Sequence, residues 1–355
     1  MRVGIAVNGL TGGGAERQAA LWATVLSEAG HDVVVLSARD ASSYDLPAAV
    51  EVRYAGKTGK FDFGTFARGI RTLSDDTEAI AAFQQYPTLF CAALRISTPW
   101  MSVTGSDPRF HWTIGTQRLL APLYKRAFKR APVASAPTRG IVDAHQRMGI
   151  FPAGGWLVVP NIADEQAYVA GAEERSGALF VGRLVDQKDP LLAVEAATLA
   201  GVPLTVLGTG PLQPEVERAA AGHAAGLVKL HGFTPRPWEL YGTHRVLVLS
   251  SRYEPFGNVI VEALAAGTPV VAVDCDFGPR EIIPHARFSH IVPRDDPAAL
   301  ADALRHVAAR PYGADEREEC REIADRYRPS SLLPQIEQAI DRTIATVRSA
   351  VSRAA

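Results

Sequence analysis

The chain has 355 residues, too many for one ordinary core and suited to two domains. Hydrophobic residues make up 47% and charged residues 21%, and the formal net charge of −1 supplies no global field to recruit nucleic acid or membrane. Three scattered cysteines (Cys91, Cys275, Cys320) exclude a disulfide framework and fit a reducing compartment, and neither they nor the nine histidines show metal-site spacing.

The opening reads MRVGIAVNGLTGGGAER. Its apolar run is too short for a secretory signal, and no stretch of about 20 apolar residues could span a bilayer. A cytoplasmic protein is expected. Arg2 to Val7 reads as a buried strand, because its β-branched residues sit well in a pleat. The GGGAER turn follows. AERQAALWATVLSEAG then has apolar residues at helical spacing, with Gly30 where a helix would stop. HDVVVLS is the next strand, which completes a βαβ unit. Further strands fit VEVRY, EAIAAF, PWMSV, PVASA and GWLVVP, with helical patterns between most of them.

A second series begins near Ala178 with strands ALFV, PLTVLG, LVKLHG, RVLVLSS, PVVAVD and HIVP. Its first helix opens at Asp189, a capping residue, and Pro190, which suits a first turn. Strands alternating with helices imply parallel sheets covered on both faces. Two such series imply an α/β chain of two doubly wound domains, residues 1–165 and 176–328, joined through the polar stretch from Asp164 to Gly177. Residues 329–355 form a terminal helix. Ligands of open parallel sheets sit beyond the carboxyl ends of the strands, so the site is expected where the two domains face one another.

The strongest constellation is RYEPFGNVIVEALAAGTPVVAV, in which seven residues separate Glu254 from Glu262. EPFG follows the strand RVLVLSS, which puts Glu254 on a loop at a strand's carboxyl end. A helix starts near Asn258 and stops at Gly267, and its first-turn amides can hold a phosphate. Glu262 lies about one turn inside it, within reach of a ribose beside that phosphate. The alternative is a solvated Glu254 and a surface-helix Glu262.

In FVGRLVDQKDP, Arg183 follows a strand and Lys188 precedes a helix. Two cations there can neutralise a leaving diphosphate without a metal. Such residues are usually solvated, and the helix dipole disfavours cations at a helix start, so their placement points to an anion. In TGGGAER, glycines after the first strand let backbone approach phosphate closely. The spacing is not G-x-G-x-x-G, because Arg17 stands at the last position. LGTGP with Gly208, and HGF with Gly232 and Phe233, each follow a strand. DCD, Asp274 to Asp276, has the form of a manganese motif, but the Arg183 and Lys188 pair makes a metal unnecessary and none is expected.

Glu254 and Glu262 in EPFG…E, the GRL…QK segment around Arg183 and Lys188, and the GGAER opening together resemble glycosyltransferase family 4. These are retaining enzymes of the GT-B fold, with two Rossmann-like domains facing across a cleft. The resemblance is strong from Leu179 to Ile282, good from Arg2 to Ser37 and thin from Asp40 to Ala131. It implies a hexosyl- or N-acetylhexosaminyl-type enzyme that moves a sugar from a nucleotide diphosphate to a glycan, lipid-linked or small-molecule acceptor, with no cofactor. By that resemblance Glu254 contacts hydroxyls of the donor sugar and Glu262 the ribose. Phe256, Gly257, Asn258 and Val259 line the sugar and phosphates through their backbone. Arg183 and Lys188 bind the donor phosphates, and Gly13 and Gly14 approach the phosphates or the acceptor. Gly208 borders the nucleotide, and Gly232 and Phe233 lie near the base. GPREI, Gly278 to Ile282, is a loop shaping the sugar pocket, and VVPN near Asn161 precedes the linker. Retention by a front-face path, in which the leaving phosphate assists the acceptor, is the family's usual mechanism. The terminal helix packs back on the amino-terminal domain.

One departure stands out. Relatives often carry a histidine in a T-x-H-G segment, where this chain has Thr104 within PWMSVTGSDPR. His111 lies nearby, beside Trp112, and reads as packing or surface. LLAPLYKRAFKRAP sets Lys125, Arg126, Lys129 and Arg130 on an apolar-faced helix, a pattern that suits peripheral contact with an anionic membrane. The other reading of that helix is ordinary packing on the sheet with a solvated charged face. Two rivals to the transferase stand: a nucleotide-sugar-binding partner without activity, favoured only by Thr104, and a nicotinamide-dependent oxidoreductase, favoured by the opening βαβ unit and Asp40.

Overall fold

The computed structural model describes residues 1–56, 63–111, 117–168, 172, 174–222, 225–234 and 236–354. Trp112 and the side chain of His111 lie outside the described residues. The chain divides into two compact units, Met1–Ile162 with Pro329–Ala355, and Ala163–Arg328.

The first unit opens with β1 (Arg2–Val7), α1 (Gly14–Glu28), β2 (Asp32–Ser37) and β3 (Glu51–Tyr54). It continues through α2 (Phe63–Asp76), β4 (Ala79–Phe83), α3 (Gln85–Leu94) and β5 (Trp100–Val103). Then come α4 (Pro108–His111), α5 (Gln117–Arg130), β6 (Val133–Ala136), α6 (Arg139–Arg147) and β7 (Trp156–Val158). The seven strands make one sheet in the order β3-β2-β1-β4-β5-β6-β7, every pair parallel. Val3, Ile5 and Val7 of β1 and Val33, Val34 and Val35 of β2 are buried, as a sheet covered on both faces requires. The terminal helix, Pro329–Ala354, belongs to this unit and buries Leu332, Ile336, Ala339, Ile340 and Thr343, spaced along one helical face.

The second unit repeats the plan. Its elements are β8 (Ala178–Val181), α7 (Pro190–Ala200), β9 (Leu204–Leu207), α8 (Gln213–Ala221) and β10 (Val228–Gly232). After them come α9 (Trp238–Tyr241), β11 (Val246–Leu249), β12 (Tyr253–Glu254), α10 (Asn258–Ala265) and β13 (Val270–Val273). The unit ends with β14 (Asp276–Phe277), α11 (Gly278–Ile282), β15 (His290–Val292), α12 (Pro297–Ala309) and α13 (Ala314–Asp325). Its six-stranded sheet is parallel, in the order β10-β9-β8-β11-β13-β15. Counted from the first strand of each unit, both sheets begin 3-2-1-4-5-6, the dinucleotide-fold order. The order reverses between β1 and β4 in one sheet and between β8 and β11 in the other. A crevice opens at the carboxyl ends of the strands at such a reversal.

Asp189 caps α7, its carboxylate accepting from the Leu192 amide at 3.4 Å, with Pro190 in the first turn. Three local readings of the sequence need correction. Glu254 sits not on an open loop but in the two-residue strand β12, paired in parallel with β14. GPREI is the short helix α11 rather than a loop, because Pro279 favours a first helical turn. HGF does not follow β10 as a whole: His231 and Gly232 end the strand, as the reading LVKLHG has it, through a bulge between Leu230 and Gly232, and Phe233 alone lies beyond it.

Candidate active site

The segments that leave β8 and β11 at their carboxyl ends are bound together. Ser250, directly after β11, donates its hydroxyl to the carbonyls of Lys188 at 2.9 Å and Asp189 at 2.8 Å. The Arg252 amide donates to the Gln187 carbonyl at 2.8 Å. This fixes the backbone around Lys188, whose ammonium makes an ion pair with the Glu254 carboxylate. Both side chains are largely buried, 15% exposed for Lys188 and 9% for Glu254. A carboxylate so desolvated must be paired or hydrogen-bonded. Lys188 and the Ser251 hydroxyl, at 3.2 Å, both donate to its Oε2. Oε1 accepts nothing among the described residues. Arg183, five positions before Lys188, is exposed and carries no ion pair among the described residues.

Beyond Glu254 the backbone turns into α10 through Phe256 and Gly257. Phe256 is buried and meets the Tyr327 ring edge-on at 5.4 Å. The α11 segment lies directly against it. A Cβ on Gly278 would fall 1.7 Å from the Phe256 carbonyl oxygen, so only glycine permits the approach. Phe277, just before it, holds φ +84°, a conformation costly for a bulky residue and found most often where a site fixes the backbone. Asn258 and Val259 begin α10 and are half-buried. One turn later Glu262 is 5% exposed and accepts the Tyr241 hydroxyl at 2.7 Å. Burial of both glutamates removes the solvated-surface alternative.

At the next strands of the sheet, Gly208 follows β9 with φ +141°, and a Cβ there would lie 1.9 Å from the Gly182 carbonyl oxygen. The Gly208 amide donates to the Gly232 carbonyl at 2.8 Å. Gly182, Gly208 and Gly232 thus lie side by side at the strand ends, and Phe233 beyond them is 75% exposed. The DCD segment is differently occupied. The Asp274 carboxylate is gripped by the forked guanidinium of Arg280. Burial, with the charge of Glu254, pushes the Cys275 thiol up to about 12, so it is no thiolate nucleophile. Asp276 pairs through its backbone in β14.

The remaining named residues lie in the first unit. Gly13 and Gly14 open α1 beyond β1, and the Tyr44 hydroxyl donates to the Gly13 carbonyl at 3.1 Å. Thr104 follows β5, is buried, and its amide donates to the Ser135 carbonyl at 3.0 Å. Asp40 accepts the Gly56 amide at 3.1 Å. On α5, Tyr124, Ala127 and Phe128 are buried, Arg126, Lys129 and Arg130 are exposed, and Lys125 is half-buried. Leu119 and Leu123 of the same helix are also exposed, at 80% and 50%. Sequence reasoning missed Ser250, Ser251 and Tyr241, which hold Lys188, Glu254 and Glu262 in place. The serine pair directly after a strand was the available signal.

Residues 175–310 match the family model described as Glycosyl transferases group 1. This segment belongs to the group 1 glycosyl transferases. The glycosyltransferase unit therefore contains Arg183, Lys188, Glu254 and Glu262 together. The chain is similar to the lipopolysaccharide core biosynthesis glycosyltransferase LpsE of Rhizobium meliloti, at 28% identity over 54% of this chain and 62% of that relative's own length. It is also similar to a phosphatidyl-myo-inositol mannosyltransferase of Mycolicibacterium smegmatis, at 25% identity over 82% of this chain and 80% of the relative. Among solved structures it resembles Anabaena HepE in complex with UDP, with TM-score 0.78 at 19% identity, covering 96% of this chain and all of that one (100%). The fold is GT-B, with one Rossmann-like sheet in each unit.

Proposed function

We propose that this protein is a retaining glycosyltransferase that takes a sugar from a nucleotide diphosphate donor. The observation that carries the reading is the Lys188–Glu254 pair at the point where the glycosyltransferase sheet reverses, with Glu262 one helical interval beyond. The donor diphosphate lies on Arg183, Lys188 and the first turn of α10 at Asn258 and Val259, whose backbone dipoles favour an anion. Phe256 and Gly257 line the sugar by their backbone. Glu254 accepts a donor-sugar hydroxyl at Oε1, and Glu262 accepts from the ribose. Gly13 and Gly14 approach the phosphates or the acceptor, Gly208 borders the nucleotide, and Gly232 and Phe233 lie beside the base. The HepE neighbour is a complex with UDP, which supports a nucleotide ligand for this fold.

As the sugar–phosphate bond breaks, negative charge grows on the leaving diphosphate. Fixed cations stabilise it more in the transition state than in the ground state, which is what accelerates the step. Arg183 and Lys188 supply that charge, and no metal is required. Among the described residues no side chain of this cluster is an obvious nucleophile: Glu254 is held by Lys188 and the Cys275 thiol stays protonated, which fits front-face retention assisted by the leaving phosphate. The transferred group is hexosyl or N-acetylhexosaminyl, and the acceptor a glycan, a lipid-linked species or a small molecule.

The exposed leucines of α5 favour peripheral contact with an anionic membrane over a merely solvated face. Leu119 and Leu123 stand bare beside Arg126, Lys129 and Arg130, the composition of an interfacial helix. Among the described residues no helix is long and apolar enough to cross a membrane. Incubation of the protein with a panel of nucleotide sugars and cell-lipid extracts, read by product mass spectrometry, tests the proposal. Nucleotide binding without any transfer product would instead make the chain a nucleotide-sugar-binding partner.

A further inference from the structure

Arg245 immediately precedes β11, at the end of the sheet opposite Ser250 and Glu254. There Arg175, Arg245, Arg310, Tyr312 and Glu174 line an open concavity of about 590 Å³. Three guanidiniums surround the Tyr312 ring, Arg175 at 4.1 Å from its centroid, Arg245 at 5.1 Å and Arg317 at 5.7 Å. Their charges are not cancelled. Arg245 and Arg310 share one buried carboxylate, Glu316, at 3.1 Å and 3.0 Å. Arg175 has no ion pair among the described residues. It donates instead to neutral acceptors, the Thr268 hydroxyl at 2.6 Å and the Ala266 carbonyl at 2.8 Å. Arg310 Nε is buried with no hydrogen-bond partner among the described residues. Burial, together with the neighbouring Arg317 and Arg245 charges, holds the Arg175 guanidinium below its ordinary range.

A purely structural duty explains part of this. Arg175 and the Tyr312 hydroxyl satisfy the Ala266 and Gly267 carbonyls just past α10, where cations are favoured. That duty needs one cation. It does not account for three guanidiniums lining a concavity, with Arg317 on the same tyrosine ring, against one buried carboxylate, Glu316, and the exposed Glu174. Like charges so close cost free energy unless an anion joins them. The planar guanidinium fork matches phosphate oxygens, and the volume lies within the usual range for small-ligand sites, roughly 300–1,000 Å³.

We propose that this concavity is a second binding site, for the phosphate group of a small molecule, apart from the donor site. It is also connected to Glu262. Arg175 donates to Thr268 Oγ1, Thr268 donates to the Tyr241 carbonyl at 2.7 Å, and the Tyr241 hydroxyl donates to Glu262. A phosphate that draws on Arg175 acts on the residue that positions Glu262. This consequence, unlike the site itself, rests on the reading of Glu262 as the ribose carboxylate.

Calorimetry on the full chain tests both statements, with inorganic phosphate and glycerol 3-phosphate as probes at constant ionic strength. Saturable binding is expected in the wild type, retained in Lys188→Ala and weakened about tenfold or more in Arg310→Gln, as loss of one charge-assisted contact implies. Arg175→Lys, which keeps the charge and loses the fork, gives the same weakening and serves if Arg310→Gln does not fold. Tighter binding of glycerol 3-phosphate marks an organic ligand, and equal binding marks phosphate alone. Absence of saturable binding overturns the site. So does binding lost in Lys188→Ala and kept in Arg310→Gln, which would put the anion at the donor site. With phosphate bound, the wild-type Kd for uridine diphosphate should shift about fivefold or more, within the usual span of coupling between sites. An unchanged Kd overturns the connection to Glu262. A wild type that binds phosphate but neither uridine diphosphate nor any other nucleoside diphosphate would remove the donor reading and leave this site standing.

Discussion

Lys188 and Glu254, 66 positions apart in sequence, form an ion pair beside the reversal point of the second sheet. The pair gives each residue two duties. Lys188 neutralises a nearly buried carboxylate, and in the proposed reading it also shares its charge with a bound diphosphate. Arg183, exposed and without an ion pair among the described residues, has only the second duty.

Replacement of each should therefore differ in stability and agree in affinity. Lys188→Ala and Arg183→Ala should each weaken nucleoside diphosphate binding about tenfold or more, the usual effect of one lost charge-assisted contact. Lys188→Ala should also lower Tm, because Glu254 is left buried without its cation, whereas Arg183→Ala should leave Tm unchanged. Calorimetry and thermal melts on both variants decide the matter. Unchanged affinity in both would remove the phosphate assignment.

The pattern of strands and helices was legible because each element carries its own period and stop signals. ALFV, RVLVLSS and PVVAVD read as buried strands on composition alone, and Asp189-Pro190 announced a helix start. Side-chain partnerships were not legible. Tyr241 and Glu262 meet because α9 and α10 pack together, a fact of tertiary structure with no local signature. Ser250 and Ser251 look like any strand-end serines until the chain folds back over Lys188. The pairing of β12 with β14 was hidden for a similar reason. Two residues are too short to show a period, and only the absence of a side chain at Gly278 lets the segments touch.

Metal independence is the second prediction. The charge that a manganese ion would supply is assigned to Arg183 and Lys188, and the Asp274 carboxylate is already bound by Arg280. Transfer activity should survive excess chelator, and Asp274→Ala and Asp276→Ala should fold and remain active. Loss of activity with chelator, restored by manganese, would return the DCD segment to the active site.

The third prediction concerns α5. Wild-type protein should cosediment with phosphatidylglycerol-containing vesicles and much less with neutral ones, and added salt should release it. Leu119→Ser with Leu123→Ser should weaken binding without lowering Tm, because both side chains are already exposed. Equal sedimentation with neutral and anionic vesicles would leave the helix as a plain solvated face.

The first unit carries a built-in acid sensitivity at His145. Burial lowers its pKa to about 4, although its ring Nδ1 donates one hydrogen bond to the Ile141 carbonyl at 2.9 Å. The folded chain thus keeps the ring neutral while the unfolded chain protonates it near the ordinary value of about 6.5. Stability from this group is complete above about pH 6.5 and is lost as pH falls toward about 4, because the unfolded state then binds the extra proton. His145→Phe, which cannot take up a proton, should show a shallower fall in Tm across that interval. Identical slopes for variant and wild type would show that another group governs the acid response.

The last prediction separates the two glutamates and the tyrosine that holds one of them. Glu254 is assigned to the donor sugar, so Glu254→Gln should spare binding of the bare nucleoside diphosphate and lower turnover. Glu262 is assigned to the ribose, which nucleotide and nucleotide sugar share, so Glu262→Gln should weaken both. A contact made equally in ground and transition states changes KM more than kcat, and one strengthened in the transition state changes kcat. Glu262→Gln should therefore act mainly on KM and Glu254→Gln mainly on kcat. Tyr241→Phe removes only the hydroxyl that positions Glu262 from the core, and it should follow Glu262→Gln in direction with a smaller rise in KM and an unaltered kcat. A merely structural role for Tyr241 would lower Tm and leave KM where it was. Nucleotide titrations with steady-state kinetics on the three variants separate these outcomes. Loss of nucleoside diphosphate binding in Glu254→Gln, with retention in Glu262→Gln, would reverse the orientation of the motif: the sugar would then lie at α10 and the ribose at β12.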